Sequence, residues 1–482
     1  MDSDAFEHHL ASPQGRGRVP AGAVTGEAGA GGCCDRIALS LAVEGDTITD
    51  AGFTAEGCGA ATAAASAAVT LLRGRPLLEA ARIGPGQISA ELGGLSLAKR
   101  HAAEVASDAL HRALGEAART ATVPATPAGR TLVAMSGGVD SAVAALLSAD
   151  AGEVVAVTLE LWADPENDAE RSCCSASAVA VARAMAHRMG LSHLTLDLRE
   201  QFRAGVVEPF IAGYAAGETP NPCVGCNGHV RLDAMLTLAG RLGCEHLVTG
   251  HYARVADEDH EHGPLLQLAA DSAKDQTYML AGLRPASLAR MRFPLGALTK
   301  PEVRRIATEA GLSVADKADS QDLCFLAGTD RVRFLARHGG LGDRAGELVD
   351  RDGTVLARHA GQHRFTVGQR KGIGVAGAEP LYVLDKDARS NRVTVGPRSA
   401  LLADRVAVRA ARLHRDGTRV DRVKLRYRST PLRGHLAGAP PAGRHERLTV
   451  ELDEAADGAA PGQLACLMDG ELVVGWGTIA RG

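Results

Sequence analysis

Aromatic residues are scarce: Trp, Tyr and Phe make up 3% of the 482 residues. Any surface that stacks on unpaired bases must rest on few rings. Long apolar runs are also missing. The longest weakly polar stretch, Gly59 to Leu72, is Ala-rich and falls short of the ~20 residues a bilayer-crossing helix needs. The N-terminus carries Asp2, Asp4 and Glu7 and lacks the apolar core of a secretory leader. The sequence therefore reads as cytoplasmic, with no membrane partner. Nor is there an excess of positive charge: 53 Lys and Arg face 57 Asp and Glu, for a net charge of −4. That excludes a chain-wide basic field for nucleic acid. The charge is uneven, however. Residues 401–433 hold ten Lys or Arg against three Asp. Such a strip is either a phosphate-binding patch or a solvated strand face.

With 45% hydrophobic and 23% charged residues, the chain is of ordinary globular composition and long enough for several domains. Ten cysteines, at 33, 34, 58, 173, 174, 223, 226, 244, 324 and 466, point to catalysis or metal binding rather than to a disulfide framework. Cys244 and Cys466 read as inert core thiols, and Cys173-Cys174 as packing at a helix entry.

Composition divides the chain into an N-terminal α+β domain (1–121), a Pro- and Ala-rich linker (122–130), an α/β domain (131–342), a small β-rich central domain (343–400) and a C-terminal β-barrel (401–482). In the α/β part, apolar runs at 131–135, 154–159, 194–198 and 246–249 alternate with helical stretches. That pattern predicts a parallel sheet with helices on both faces. From about Asp343, short alternating runs separated by Gly and Asp predict barrels.

Ser136-Gly137-Gly138-Val139-Asp140-Ser141 lies between a strand and a helix. Glycines admit an anion close to the backbone, and the helix N-terminus presents unpaired N–H groups. Asp140 is suited to Mg²⁺ on a pyrophosphate. No Gly-Lys-Ser/Thr follows, so this is not a Walker A loop. SGGVDS resembles the PP-loop of ATP pyrophosphatases, of the adenine nucleotide alpha hydrolase-like fold. Further strings are Thr219 to Asn227 (TPNPCVGCN), Thr249 to Tyr252 (TGHY), Lys274-Asp275-Gln276, Asp319 to Phe325 (DSQDLCF) and Phe365 to Gly372 (FTVGQRKG). With these, residues from about 130 to the end resemble the tRNA-specific 2-thiouridylase (MnmA/TrmU) family.

That resemblance implies a tRNA-uridine 2-sulfurtransferase. ATP adenylates the C2 oxygen of the wobble uridine, and sulfur from a cysteine persulfide then replaces it. The implied nucleotide site is Ala134, Met135, Ser136, Gly137, Gly138, Val139, Asp140, Ser141, Leu159 and Gly250. Cys226 is the implied nucleophile and Cys324 the persulfide carrier, and the two close a transient disulfide. Cys226 is expected in a loop before a helix starting near Val230, where the helix N-terminus would favour a thiolate. The implied tRNA contacts are Lys274, Asp275, Gln276, Arg426 and Tyr427. Cys223-Val224-Gly225-Cys226 is also a C-x-x-C, a spacing that fits a metal or iron–sulfur ligand pair as well as a redox pair. An iron–sulfur-dependent thiolase and another PP-loop adenylating enzyme remain alternatives.

Residues 6–118 resemble the IscU/NifU-type iron–sulfur scaffold family, through Gly32-Cys33-Cys34-Asp35, Gly57-Cys58-Gly59 and Lys99-Arg100-His101. The resemblance implies that Cys33, Asp35, Cys58 and His101 hold Zn²⁺ or an iron–sulfur cluster, or pass on a persulfide. Ala102 stands where a third cysteine is expected. The implied partners are tRNA and a cysteine desulfurase or other sulfur-relay donor.

Overall fold

Alternating buried and exposed side chains fold the first segment into an antiparallel sheet of β1 (Val24–Gly29), β2 (Arg36–Glu44) and β3 (Thr47–Glu56). In β2, Ile37, Leu39 and Leu41 point inward, the period of two that a half-buried strand requires. The helices Gly59–Leu72 and Arg100–Ala118 pack against this sheet and each other. All seven alanines of Gly59–Leu72 are buried, which makes it a core helix rather than a surface one. The protein is described from a computed structural model covering residues 3–29, 34–164, 175–257, 261–318, 323–377 and 379–481. Cys33, Cys173, Cys174 and Asp319 to Asp322 lie outside these described residues.

The α/β part forms β4 (Arg130–Ala134), β5 (Glu153–Glu160), β6 (Ser192–Asp197) and β7 (His246–Val248). A hairpin of β8 (Arg254–Ala256) and β9 (Leu265–Gln267) follows, then β10 (Met291–Arg292). β10, β7, β4, β5 and β6 lie side by side in that order, all parallel. β5 reads EVVAVTLE and is buried on both faces, as a central parallel strand must be. The β8–β9 hairpin leaves this sheet and pairs with a strand of the C-terminal barrel, Leu266 opposite Val473. Nothing in its local sequence separates it from the surrounding domain. The segment 122–130 is docked rather than loose: Val123 N–H bonds the Arg241 carbonyl at 2.8 Å, and Arg130 Nη1 bonds the Pro124 and Leu242 carbonyls.

The central domain is a four-stranded sheet of β11 (Gly346–Val349), β12 (Val355–His359), β13 (Tyr382–Asp387) and β14 (Arg392–Gly396). Six strands follow: β15 (Ala403–Leu413), β16 (Arg422–Lys424), β17 (Leu432–Leu436), β18 (Gly443–Ala456), β19 (Leu464–Asp469) and β20 (Leu472–Ile479). Pairing of β15 with both β18 and β20 closes them into a barrel, which leaves no free edge among the six.

β6 is the edge of the parallel sheet, and the N-terminal domain covers it. The Ala81 carbonyl accepts from His193 N–H at 2.9 Å. His111 Nδ1 donates to the His193 carbonyl at 2.7 Å, and Arg119 Nη1 donates to the Asp197 carbonyl at 3.2 Å. Between them Gly115 lies so close to the Thr195 carbonyl that a Cβ would come within 1.8 Å of it. The outward backbone of residues 193, 195 and 197 is thus capped by one helix and one turn.

His111, His187 and His193 cluster in this interface. Burial pushes His111 and His193 well below the usual histidine range, with Arg183 and the neighbouring imidazoles adding to it. The folded protein therefore refuses protons that the unfolded chain accepts below its ordinary pKa of about 6.5. Stability should fall as pH drops from 7 to 5, with a slope that approaches about 1.4 kcal/mol per pH unit for each buried ring once the pH is well below 6.5. Thermal melting across that range checks it. The His111→Gln variant should melt lower at pH 7 yet show a shallower slope, and an equal slope would contradict the assignment.

Candidate functional site

β4 runs into the turn Ser136-Gly137-Gly138, and Val139 opens the helix Val139–Ala149. Gly137 has φ +70°, and a Cβ there would meet the Ala178 carbonyl at 2.7 Å, so only glycine suits the turn. Ser141 Oγ donates to the Gly138 carbonyl at 3.0 Å, accepts from Ser136 N–H at 3.1 Å and lies 3.2 Å from Ser136 Oγ. The first-turn amides of an eleven-residue helix are framed by two hydroxyls, an arrangement that cradles an anion. Ala134 and Met135 lead into the turn, with Met135 N–H on the Val157 carbonyl at 2.8 Å. Leu159 lies two residues beyond the Ala134–Val157 pair, at the carboxyl end of β5. Open α/β sheets bind ligands at that end. Gly250, just past β7, abuts the same helix start: a Cβ there would lie 2.7 Å from Asp140 C and Ser141 N.

Three residues at this loop were not foreseen. Lys300 Nζ holds both oxygens of Asp140, at 2.7 and 2.8 Å, and Tyr252 Oη donates to Asp140 Oδ1 at 2.9 Å. Lys317 Nζ donates to the Gly137 carbonyl at 2.9 Å. Both lysines arrive from more than 150 residues downstream in the chain. Only tertiary structure brings them to the loop, and no local pattern marks them.

Cys226 lies within helix, not in a loop. Asn221 caps the chain by accepting Cys223 N–H at 3.1 Å, Pro222 takes the first helical position, and the short helix Pro222–Gly225 continues through a π-turn, Cys226–Arg231, into the helix Leu232–Arg241. Proline fits a first turn because its missing N–H would be unpaired there, so the two prolines start the helix rather than delay it. Cys226 is buried, at 6% exposure. π-turns inside helices are rare and frequent at functional sites. Cys324 opens the turn Cys324–Leu326 and is partly buried against the same core as Cys226. Its neighbour Phe325 packs edge-on against Phe202 and Phe210 at 5.8 and 5.1 Å between ring centres. Among the described residues, Cys223, Cys226 and Cys324 do not form a three-ligand metal group. Burial pushes the Cys244 and Cys466 thiols up to about 12, so both stay protonated.

His251 lies beside the nucleotide loop. It follows Gly250, its Nδ1 lies 2.8 Å from Thr249 Oγ1, and burial with the nearby Arg231 guanidinium lowers it to about 3. Arg231 closes the π-turn that Cys226 opens.

Lys274, Asp275 and Gln276 have separate surroundings. Asp275 is buried: it accepts from Ala269 N–H at 3.0 Å and Thr277 Oγ1 at 2.7 Å, and pairs with Lys424 of β16 at 3.4 Å. Gln276 Oε1 accepts from Tyr252 N–H at 2.9 Å, and Gln276 N–H returns a bond to the Tyr252 carbonyl. Lys274 is half-buried. Arg426 and Tyr427 follow β16 in a turn, where a strand was expected through 427. Arg426 is exposed, its guanidinium close to Gly458 and Gly368. Tyr427 packs towards Tyr278, 6.4 Å between ring centres; burial raises its phenol, Arg428 and Lys274 oppose, and Asp275 and Cys223 add.

In the N-terminal domain, Asp35, Cys58 and His101 converge, their ligand atoms within 4.8 Å of one another. Asp35 Oδ2 lies 3.2 Å from Cys58 Sγ and 3.0 Å from His101 Nε2, while Oδ1 accepts Cys58 N–H at 2.7 Å. One carboxylate, one thiol and one imidazole are a donor set that suits zinc with a fourth ligand. Ala102 faces the core, fully buried. A cleft of about 400 Å³ is lined by Arg36 and Glu56 of the N-terminal sheet and by Arg112 and Arg199. Arg199 begins the short helix that ends at Phe202.

Residues 2–122 match the family described as NifU-like N terminal domain, and 129–328 the tRNA methyl transferase HUP domain. Residues 333–397 match the tRNA methyl transferase PRC-barrel domain, and 401–479 the Aminomethyltransferase beta-barrel domain. A curated protein named Bifunctional protein NifU/MnmA, from Rubrobacter xylanophilus, is 44% identical over 98% of this chain and 97% of its own length. Proteins named tRNA-specific 2-thiouridylase MnmA from Rhodospirillum rubrum and Geobacter metallireducens are 43% and 41% identical, over 72% and 73% of this chain and 94% and 96% of theirs. With likeness running through both parts and nearly end to end, the chain belongs to the bifunctional NifU/MnmA family.

Proposed function

We propose that the protein is an ATP-dependent tRNA 2-thiouridylase whose NifU-like domain delivers sulfur to it in cis. The observation that carries the reading is the seating of the phosphate loop: Gly250 pressed on a helix start whose amides are framed by the Ser136 and Ser141 hydroxyls. The amides and hydroxyls of Ser136 to Ser141 bind the ATP phosphates, and Leu159 flanks adenine. The uridine C2 oxygen attacks the α-phosphorus and pyrophosphate leaves. The terminal sulfur of a Cys324 persulfide attacks C2 and AMP leaves with the original oxygen. Cys226 thiolate then attacks the Cys324 sulfur, releasing 2-thiouridine and closing a Cys226–Cys324 disulfide. An external dithiol must reduce it before the next turnover. Asp140 would hold Mg²⁺, and the ion would supply charge neutralisation on the leaving pyrophosphate; Lys300 holds the Asp140 carboxylate in place beside the phosphate loop. Mass spectrometry of nucleosides after incubating unmodified tRNA with protein, ATP, Mg²⁺, a dithiol and polysulfide, whose sulfane sulfur loads Cys324 directly, tests the reading. ATP-dependent 2-thiouridine supports it, and its absence overturns it.

The tRNA side divides by exposure. Arg426 and Lys274 reach phosphate, Tyr427 stacks, and buried Asp275 with Gln276 hold the loop in place. Arg426→Ala should weaken tRNA binding and reduce the salt slope of log Kd by about 1. An unchanged slope in a salt titration would remove it from the phosphate contacts.

Sulfur delivery is supported by the cleft between Arg36, Glu56 and Arg199. Arg36 follows Asp35 in the chain and Glu56 precedes Gly57-Cys58, so one wall of the cleft is built on the strands that carry two of the cluster's donors. A persulfide on the N-terminal domain, loaded by a cysteine desulfurase in the cytoplasm, passes its outer sulfur to Cys324 thiolate and leaves as thiolate. Asp35, Cys58 and His101 would hold zinc or a cluster edge, keeping the thiol deprotonated. Cys58→Ala in the full chain should cut thiolation with a desulfurase and cysteine by tenfold or more, yet leave thiolation with polysulfide, which loads Cys324 directly, unchanged. Equal loss with both donors would refute the relay. Deleting residues 1–121 is a poorer test, since it also uncovers β6.

A further inference from the structure

The helix Arg100–Ala118 does more than cover β6. Its Arg112 crosses to Glu160, the last residue of β5. Arg112 Nε lies 3.1 Å from both Glu160 carboxylate oxygens, Nη2 lies 2.6 Å from Oε1, and Nη1 donates to the Glu27 carbonyl at 2.6 Å. The Glu160 side chain is 7% exposed. Burial opposes the charge on Arg112, and the Glu160 carboxylate more than offsets it, so its pKa is raised. Thr158, two residues earlier, bonds through Oγ1 to His193 Nε2 at 2.9 Å, and the His193 carbonyl takes the His111 Nδ1 proton. The residues on either side of Leu159 are therefore both tied to the N-terminal helix, one directly and one through β6.

A carboxylate buried this deeply needs its partner, and among the described residues the neighbouring arginines are paired elsewhere: Arg199 is engaged by Asp197, and Arg183 by Asp108. We infer that Arg112 is a positioning residue for the ATP site, acting through Glu160 to fix the carboxyl end of β5, so that the N-terminal domain contributes to nucleotide affinity independently of its cysteines. The inference rests on Leu159 flanking the nucleotide. It makes the N-terminal domain part of the adenylating machinery even when polysulfide loads Cys324 directly.

The test is the ATP KM and kcat of tRNA-dependent pyrophosphate release by the full chain and its variants. Arg112→Ala should raise the ATP KM roughly five- to tenfold with kcat held within about twofold, the signature of lost positioning of bound ATP. Arg112→Lys should recover part of this, since it restores charge without the two-pronged geometry. Arg112→Ala/Glu160→Gln should regain the thermal midpoint lost by Arg112→Ala, because no charge is left buried, but not the KM. Should Arg112→Ala fail to fold, the lysine and double variants carry the same comparison. Arg82→Ala removes the 3.2 Å bond from Arg82 Nε to Ser192 Oγ, in the same interface but at the opposite end of β6, and should leave the ATP KM unchanged. An Arg112 variant with wild-type KM overturns the inference, as does an equal rise in Arg82→Ala. Leu159→Ala separates the two layers. If it raises the KM while Arg112→Ala does not, the nucleotide reading stands and the inference falls. If it leaves the KM unchanged, the reading of β5 falls and the inference with it.

Discussion

Cys226→Ala should abolish 2-thiouridine formation, by roughly 10³-fold or more, while ATP is still consumed on tRNA. The two halves of the reaction use different parts of the domain. In the proposed reading, phosphate binding falls to Ser136 to Ser141 and Gly250, and sulfur transfer to Cys226 and Cys324. Alanine at a buried position of similar volume costs little stability, so a folded protein is expected. Pyrophosphate release with [γ-³²P]ATP and nucleoside mass spectrometry, run on one sample, read the two halves separately. Release without thiolation is the expected result. Cys324→Ala should behave alike. Full thiolation in either variant would remove that cysteine from the chemistry, and loss of pyrophosphate release in both would assign them to the adenylation step.

Gly250→Ala should reduce ATP turnover by about 100-fold, the scale of a misplacement near 1 Å in a reacting group. The added methyl would meet Asp140 C and Ser141 N at 2.7 Å. Both are backbone atoms in the first turn of a helix, so neither can rotate away. The phosphate loop must shift as a unit, which carries Asp140 off Lys300 and Tyr252. Such overpacking costs about 1–3 kcal/mol of stability, which thermal melting would show as a lowered midpoint in a still-folded enzyme. Wild-type kcat/KM for ATP would mean that the nucleotide does not use this loop.

Much of this arrangement was legible in the residues. The strand–Gly–Gly–helix order of 130–149 is local, and local order is what periodicity and turn chemistry report. The cluster of Asp35, Cys58 and His101 was readable because each donor sits in its own recognisable string, although Cys33 lies outside the described residues. What escaped was of two kinds. Lys300, Lys317, Arg112 and the β8–β9 hairpin act on segments far away in the chain, and nothing in their immediate neighbours marks the partner. The placement of Cys226 failed differently. Two prolines and a glycine suggested a loop, but a proline at the first helical position, behind an Asn cap, is a helix start.

The covered edge of β6 has a consequence for the lone enzyme. A strand with its outward N–H and C=O groups uncovered is a template for another chain. Here Ala81, His111, Gly115 and Arg119 occupy that template. A chain shortened to begin at the catalytic domain would present residues 193–197 of one molecule to the same residues of another. Strand-to-strand self-association in solution would then compete with folding. The N-terminal domain acts as a built-in guard against aggregation, whatever else it carries.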